Sequence, residues 1–272
     1  MNNQLSPILL NALKEVILPD SASHKGQNGK LLIIGGSNLF HAASKWSLDI
    51  ASKIVDMVFY ASTPSNNQLI KEAKQHFWNG IVIERKQIEA YIKEADGILI
   101  GPGMERSFYT QRLVNNLLKK FGDKKWVIDA GALQMIDVKL LTQKHIVTPH
   151  HQEMALLTTK SKLFNEESYQ ANCYCLLKGP IDKIYMPQNT QFYQVAGGNA
   201  GMTKGGTGDV LAGLLAALYC KNSALNSCLI ASYINKKAGE ELYLQQGPFF
   251  NSSDLVEKIP EVLWLSLQHD QI

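Results

Sequence analysis

Leu31-Leu32-Ile33-Ile34-Gly35-Gly36-Ser37 is a short apolar run that stops at a double glycine. That is the pattern of a buried strand delivering a tight turn. The same pattern recurs on both sides of it. Met57-Val58-Phe59-Tyr60 and Gly80-Ile81-Val82-Ile83 are strand-like, Gly97-Ile98-Leu99-Ile100 runs into Gly101-Pro102-Gly103, Trp126-Val127-Ile128 into Asp129, and His145-Ile146-Val147 into Thr148-Pro149. None alternates apolar with polar, so each is covered on both faces, and the segments between strands must supply the cover as helices. Residues 42–56 fit one such helix, with Trp46, Ile50 and Ile54 on one face. The expectation is an α/β fold with a mostly parallel central sheet flanked by helices.

At the ends of the chain the pattern changes. Residues 1–24 read as a helix stopped by Pro19-Asp20. Cys173 to Lys178, Lys183 to Met186 and Phe192 to Val195 read as a strand followed by a hairpin. After Asp209, helices are expected over 210–219, 225–244 and 254–267. No repeat or interdomain linker stands out, so residues 1–272 are read as a single domain.

The composition narrows the function classes. Of 272 residues 45% are hydrophobic and 19% charged, a globular mixture. The formal net charge of +3 is too near balance for a nucleic-acid or membrane-surface protein. Cys173, Cys175, Cys220 and Cys228 form no C-x-x-C pair, which argues against a zinc site and for a reducing compartment. The first residues lack a basic and then apolar leader, and no apolar run is long enough to span a bilayer. A cytoplasmic protein is expected.

Open α/β sheets bind ligands beyond the carboxyl ends of their strands, and here those ends carry glycine turns. The densest follows at Gly197-Gly198-Asn199-Ala200-Gly201-Met202-Thr203-Lys204-Gly205-Gly206-Thr207-Gly208-Asp209, ahead of an apolar helix. Glycines let the backbone approach a ligand, and a helix N-terminus offers free N–H groups and a positive dipole end to an anion. The order G-x-x-x-x-G-K-[ST] is absent, so this is not a Walker loop. Asp209 has two readings: an N-cap bonded to first-turn N–H groups, or a general base beside a bound phosphate.

Gly205-Gly206-Thr207-Gly208-Asp209 resembles the anion-hole motif of the ribokinase-like superfamily, and the chain as a whole resembles the ADP/ATP-dependent NAD(P)H-hydrate dehydratases. The resemblance rests on His24-Lys25-Gly26, Gly35-Gly36-Ser37, Gly101-Pro102-Gly103, Val127 to Leu133, Thr148-Pro149-His150-His151-Gln152-Glu153, Leu177-Lys178-Gly179 and Gly198 to Asp209, in that order. It implies a ribokinase-like three-layer sandwich. It further implies that ADP or ATP, with Mg²⁺, phosphorylates the hydroxyl of the hydrated nicotinamide ring, after which phosphate leaves and NAD(P)H is restored. Asp209 would be the base, and the N–H groups of Gly206, Thr207 and Gly208 would hold the migrating phosphoryl group. Ala43, Gly103 and His150 would line the hydrate pocket, and the loop Lys178-Gly179-Pro180-Ile181-Asp182 would hold the nucleotide.

For several of these residues a plainer reading stands beside the implied one. His150 fits a helix N-terminus, Lys178 a solvated strand end, Asn199 an Asx turn and Glu153 a first-turn carboxylate. The chain also departs from the family pattern. Asn38-Leu39-Phe40-His41 replaces small residues, His151-Gln152 replaces Pro-Gly, Gly131 replaces an Asp, Met104-Glu105 follows Gly103, and the usual Thr after Lys178-Gly179 is missing. These lie mostly on the substrate side. The alternative they leave open is a ribokinase-like small-molecule kinase acting on a vitamin precursor or sugar hydroxyl. A homo-oligomer is expected by the same resemblance, with any epimerase a separate chain.

Overall fold

The computed structural model describes residues 6–268. Nine strands form one sheet: β1 (Lys30–Ile34), β2 (Met57–Ala61), β3 (Ile81–Ile83), β4 (Gly97–Ile100), β5 (Trp126–Ile128), β6 (His145–Val147), β7 (Tyr174–Leu177), β8 (Ile181–Tyr185) and β9 (Phe192–Ala196). Their order is β3-β2-β1-β4-β5-β6-β7-β8-β9. The strands up to β7 run parallel, and β8 and β9 join antiparallel. The helices are α1 (Pro7–Lys14), α2 (Ala42–Ala51), α3 (Pro64–Glu72), α4 (Ile88–Glu94), α5 (Phe108–Lys120), α6 (Ala130–Met135), α7 (His151–Lys160), α8 (Thr207–Lys221), α9 (Ala224–Gln246) and α10 (Ser252–Gln268).

The unalternating strands do what their sequence predicts. Leu31 and Ile33 point into a core shared with α2, α8 and α9, whereas Leu32 and Ile34 point into a second core shared with α4 to α7. Three layers result, helix on sheet on helix. Val210 to Cys220 is buried without a break, so α8 is enclosed on all sides rather than amphipathic.

Chain direction along the sheet reverses between β1 and β4, the kind of switch point where open sheets leave a crevice. There Gly36 N–H donates to Pro102 O at 2.7 Å, tying the two glycine turns together.

Several boundaries differ from expectation. The first helix stops at Lys14, because Ile17 N–H is drawn off to Asn222 Oδ1 at 3.0 Å; the first five expected positions lie outside the described residues. The second helix stops at Ala51, where Lys53 and Ile54 bond back only three residues and Asp56 turns to accept from Gly26 and Asn28 N–H. The strand-plus-hairpin is a three-stranded meander in which β7 also pairs with β8. The last three helices each begin a little earlier than read, α8 by three residues.

Candidate active site at the N-terminus of α8

The start of α8 is set by Gly206, whose φ of +100° closes the preceding loop in the left-handed region. A Cβ there would meet the Trp46 ring at 2.3 Å and Ser252 Oγ at 2.6 Å, so only glycine fits. Ser252 Oγ donates to Gly205 O at 2.9 Å, and Thr207 Oγ1 donates to Met202 O at 2.8 Å. The first helical bond runs from Val210 N–H to Gly206 O. The N–H groups of Gly208 and Asp209 therefore face outward without a protein acceptor among the described residues.

Asp209 is the third residue of α8, not its N-cap, so the capping reading is corrected: Gly206 occupies that position. No described residue donates a hydrogen bond to the Asp209 carboxylate. Its backbone is held by Ser47 Oγ, which donates to Asp209 O at 2.8 Å. Burial pushes the carboxyl up to about 7, with the charges of Asp129 and Glu153 adding to the rise and Lys178 opposing it.

Lys178 leaves the end of β7 and points at this turn; a Cβ on Gly208 would sit 3.6 Å from its Nζ. Nζ donates to Asp129 Oδ1 at 2.8 Å, and Thr148 Oγ1 donates to the same oxygen at 2.7 Å. Burial alone would lower the Lys178 ammonium, but Asp129, Glu153 and Asp209 outweigh it and hold its pKa above the ordinary value. Lys178 is thus a fixed cation, not a solvated strand end.

Two cavities meet here. Ala43, Gly103 and Asp209 line one of about 450 Å³, with Phe40, Met104 and Gln134. Lys178, Gly179, Pro180, Asp182, Thr207 and Gly208 line the other, of about 690 Å³. His150 falls in the second cavity, not with Ala43 and Gly103. It also caps α7: its Nδ1 accepts from Glu153 N–H at 3.2 Å, while Glu153 Oε2 accepts from His150 N–H at 3.0 Å. Asn199 makes the Asx turn that the sequence allows.

The expected nucleotide loop ends at Pro180. Ile181 and Asp182 already belong to β8, because Asp182 Oδ1 accepts from Gly179 N–H at 2.9 Å and closes the turn at once. Asp182 is buried and engaged by Ser232 Oγ and Lys236 Nζ, and Ile181 is exposed and lines neither cavity.

The site also contains residues to which the sequence alone assigns no role. Asp129 and Thr148 orient Lys178, and Lys236 bonds the carbonyls of Gly179, Pro180 and Gly197, clamping the loops at the cavity mouth. The sequence marks Asp129 and Thr148 as strand ends within motifs, whereas Lys236 has no local signal. Two departures from the family pattern are physically paired: a Cβ on Gly131 would lie 2.0 Å from Met104 O, so the path of the chain at Met104 demands glycine there.

A family model described as NAD(P)H-hydrate dehydratase matches residues 31–261. The bifunctional NAD(P)H-hydrate repair enzyme of Methanocaldococcus jannaschii is 36% identical over 92% of this chain and 51% of its own length. The chain thus spans about half the length of that relative. The ADP-dependent (S)-NAD(P)H-hydrate dehydratase of Nitrosopumilus maritimus is 32% identical over 94% of this chain and 96% of its own. Among solved structures, the ADP/ATP-dependent NAD(P)H-hydrate dehydratase of Bacillus subtilis, co-crystallised with ATP/Mg²⁺, superposes with a TM-score of 0.78 at 22% identity, covering 94% of this chain and 97% of that one.

Proposed function

Because this chain belongs to the NAD(P)H-hydrate dehydratase family, we propose that it uses ADP or ATP to dehydrate NAD(P)H-hydrate at the N-terminus of α8. The observation that carries this is the Asp209 carboxylate, which accepts no hydrogen bond from the described residues, beside outward N–H groups and the Lys178 ammonium where two cavities meet. The hydrate occupies the cavity of Ala43 and Gly103, and the nucleotide the cavity of Lys178 and Gly208.

Asp209 takes the proton of the ring hydroxyl, and its pKa of about 7 suits a base working near neutrality. The freed oxygen bonds to the terminal phosphorus as the bond to the bridging oxygen breaks, releasing ADP from ATP or AMP from ADP. The N–H groups of Gly208 and Asp209 and the ammonium of Lys178 meet the charge that develops on the migrating group. Phosphate then leaves with the C–O electron pair and takes up the proton that the adjacent ring carbon gives up, which restores the ring double bond.

Among the described residues no group of three or more His, Cys, Asp or Glu side chains is placed to hold a metal. The chemistry of the site fits Mg²⁺ carried in on the nucleotide phosphates, where it would neutralise their charge. No helix among the described residues is long and apolar enough to cross a membrane, and all four cysteines are free and buried. A cytoplasmic homo-oligomer belongs to the same reading, and sedimentation measures its oligomeric state.

The match to a dehydratase model supports this reading over a kinase of the same fold. Incubation with NADH-hydrate, Mg²⁺ and either nucleotide is expected to regenerate NADH absorbance with one phosphate released per turnover. A stable phosphorylated product without NADH would favour the kinase.

A further inference from the structure

The cavity of Ala43 and Gly103 is poor in positive charge. Two of its lining side chains are carboxylates, Asp209 and Glu105, and among the described residues that line it only Arg106 is a cation. A nicotinamide dinucleotide brings further negative charge on its pyrophosphate. Lys178 does not answer it, because Lys178 lines the other cavity and is bonded to Asp129. Arg106 is uncommitted: no described residue forms a hydrogen bond or ion pair with its guanidinium, the neighbouring Glu105 included. Arg85, by contrast, donates from Nε to Ser62 O at 3.2 Å and lies over the Tyr109 ring. The backbone that carries Arg106 is fixed on both sides. Met104 N–H donates to Gly101 O at 2.9 Å and closes the turn after β4, and Ser107 Oγ accepts from Thr110 N–H at 3.2 Å and caps α5. A free cation thus stands on a rigid base. Burial also sorts the cavity, since Asp209 is half-buried and Arg106 exposed. A hydrate whose ring hydroxyl meets Asp209 has its ring at the inner end, and its sugars and phosphates trail toward the mouth where Arg106 stands.

We propose that Arg106 binds a phosphate group of the dinucleotide hydrate. The inference rests on the assignment of this cavity to the hydrate. The planar fork of guanidinium donors matches two oxygens of one phosphate, which an ammonium meets only as a point charge. Two phosphates of the substrate offer this chemistry, the pyrophosphate that every such hydrate carries and the 2′-phosphate that only NADPH-hydrate carries. Both lie away from the ring hydroxyl, so their charge does not change as that hydroxyl reacts. The contact is therefore equally strong before and during the reaction, and it lowers KM without raising kcat.

Steady-state kinetics of the full chain on NADH-hydrate and on NADPH-hydrate, at saturating ATP and Mg²⁺, test it. Arg106→Met is expected to raise KM for the hydrate about ten-fold while kcat changes less than about two-fold. Arg106→Lys, which keeps the charge and loses the fork, should fall between the two. A rise with both substrates assigns the guanidinium to the pyrophosphate, and a rise with NADPH-hydrate alone assigns it to the 2′-phosphate. Arg112→Met removes an exposed charge from α5 outside the cavity and is expected to leave KM unmoved, which separates contact from net charge. Calorimetric affinity of Arg106→Met for ATP should stay within about two-fold of wild type, since the nucleotide cavity is untouched. A KM that Arg106→Met leaves unchanged for both hydrates, or that Arg112→Met raises equally, overturns the proposal and leaves the dehydratase reading standing. Failure of the wild-type protein to regenerate NADH or NADPH from either hydrate removes both.

Discussion

A carboxylate in the first turn of a helix ordinarily accepts hydrogen bonds from nearby N–H groups. Asp209 accepts none from the described residues, and it faces Asp129 and Glu153 with Lys178 as the opposing charge. In the native protein it takes up a proton near pH 7, but in the unfolded chain near 3.8. Between those values the native state holds the more protons, so the free energy of unfolding falls as pH rises from about 4 to 7 and levels off above. Asp209→Asn removes this penalty. It is expected to be more stable than wild type on the order of 2 kcal/mol near pH 8 and no more stable near pH 4, as read from urea midpoints. The same variant should lose turnover by roughly three powers of ten or more, since the substrate hydroxyl has lost its base. Activity of the wild-type enzyme should rise through a midpoint near pH 7. Lys178→Met, which deletes the opposing charge, should move that midpoint up by about one unit. A pH profile unmoved by Lys178→Met would detach Asp209 from the acid limb.

At the scale of elements, the site depends on how closely α2 lies against α8. A Cβ on Gly213 would stand 2.7 Å from Ser47 Cα and from Ile50 Cγ2, so the two helices touch backbone to backbone one turn below the catalytic carboxylate. That contact lets Ser47 reach Asp209 O and brings Trp46 over Gly206. Gly213→Leu would force the helices apart and is expected to destabilise the protein by about 3 kcal/mol, with the denaturant m-value unchanged. Turnover should fall further than stability alone explains. None of this is visible in the local sequence. The run Gly205-Gly206-Thr207-Gly208 contains three glycines, each able to begin a helix, and the choice among them is made by Trp46 and Ser252 from elsewhere in the chain. Strands β1, β2 and β4 to β7 were legible because burial on both faces leaves a nearly uninterrupted apolar run, whereas the edge strand β3 was legible from its apolar residues although Ile81 is exposed. The limits of β8 and β9 were not, because both strands carry exposed residues and the turn that begins β8 is fixed by Asp182 and by Lys236 from α9. The site divides in the same way. Asp209, Lys178, Asp129 and Thr148 all stand in recognisable motifs, but the bonds by which Asp129 and Thr148 hold Lys178 arise only from the pairing of β5, β6 and β7, and Lys236 reaches the site from α9 without a local signal.

Across the whole molecule, the sheet delivers two ligand cavities to one helix end, and their separation is itself testable. The turns after β1 and β4 frame the cavity of Ala43 and Gly103, whereas the turn after β7 and the loop before α8 frame the cavity of Lys178 and Gly208. Asp209 lines the first and its neighbour Gly208 the second, so the helix N-terminus alone connects them. Ala43 is half-buried on α2, and a Cβ on Gly103 would already lie 3.1 Å from its methyl group. A ring placed at residue 43 therefore has to occupy the first cavity. Ala43→Phe is expected to weaken binding of the hydrate at least ten-fold while the affinity for ATP, measured calorimetrically without hydrate, changes less than about two-fold. Nucleotide binding should still raise the melting temperature of this variant as it does that of the wild type, since the stabilisation depends only on the ratio of ligand concentration to dissociation constant. Equal losses for both ligands would mean that both occupy the cavity of Ala43 and Gly103. Loss of ATP binding alone would exchange the two assignments and put the terminal phosphate on the other side of Asp209.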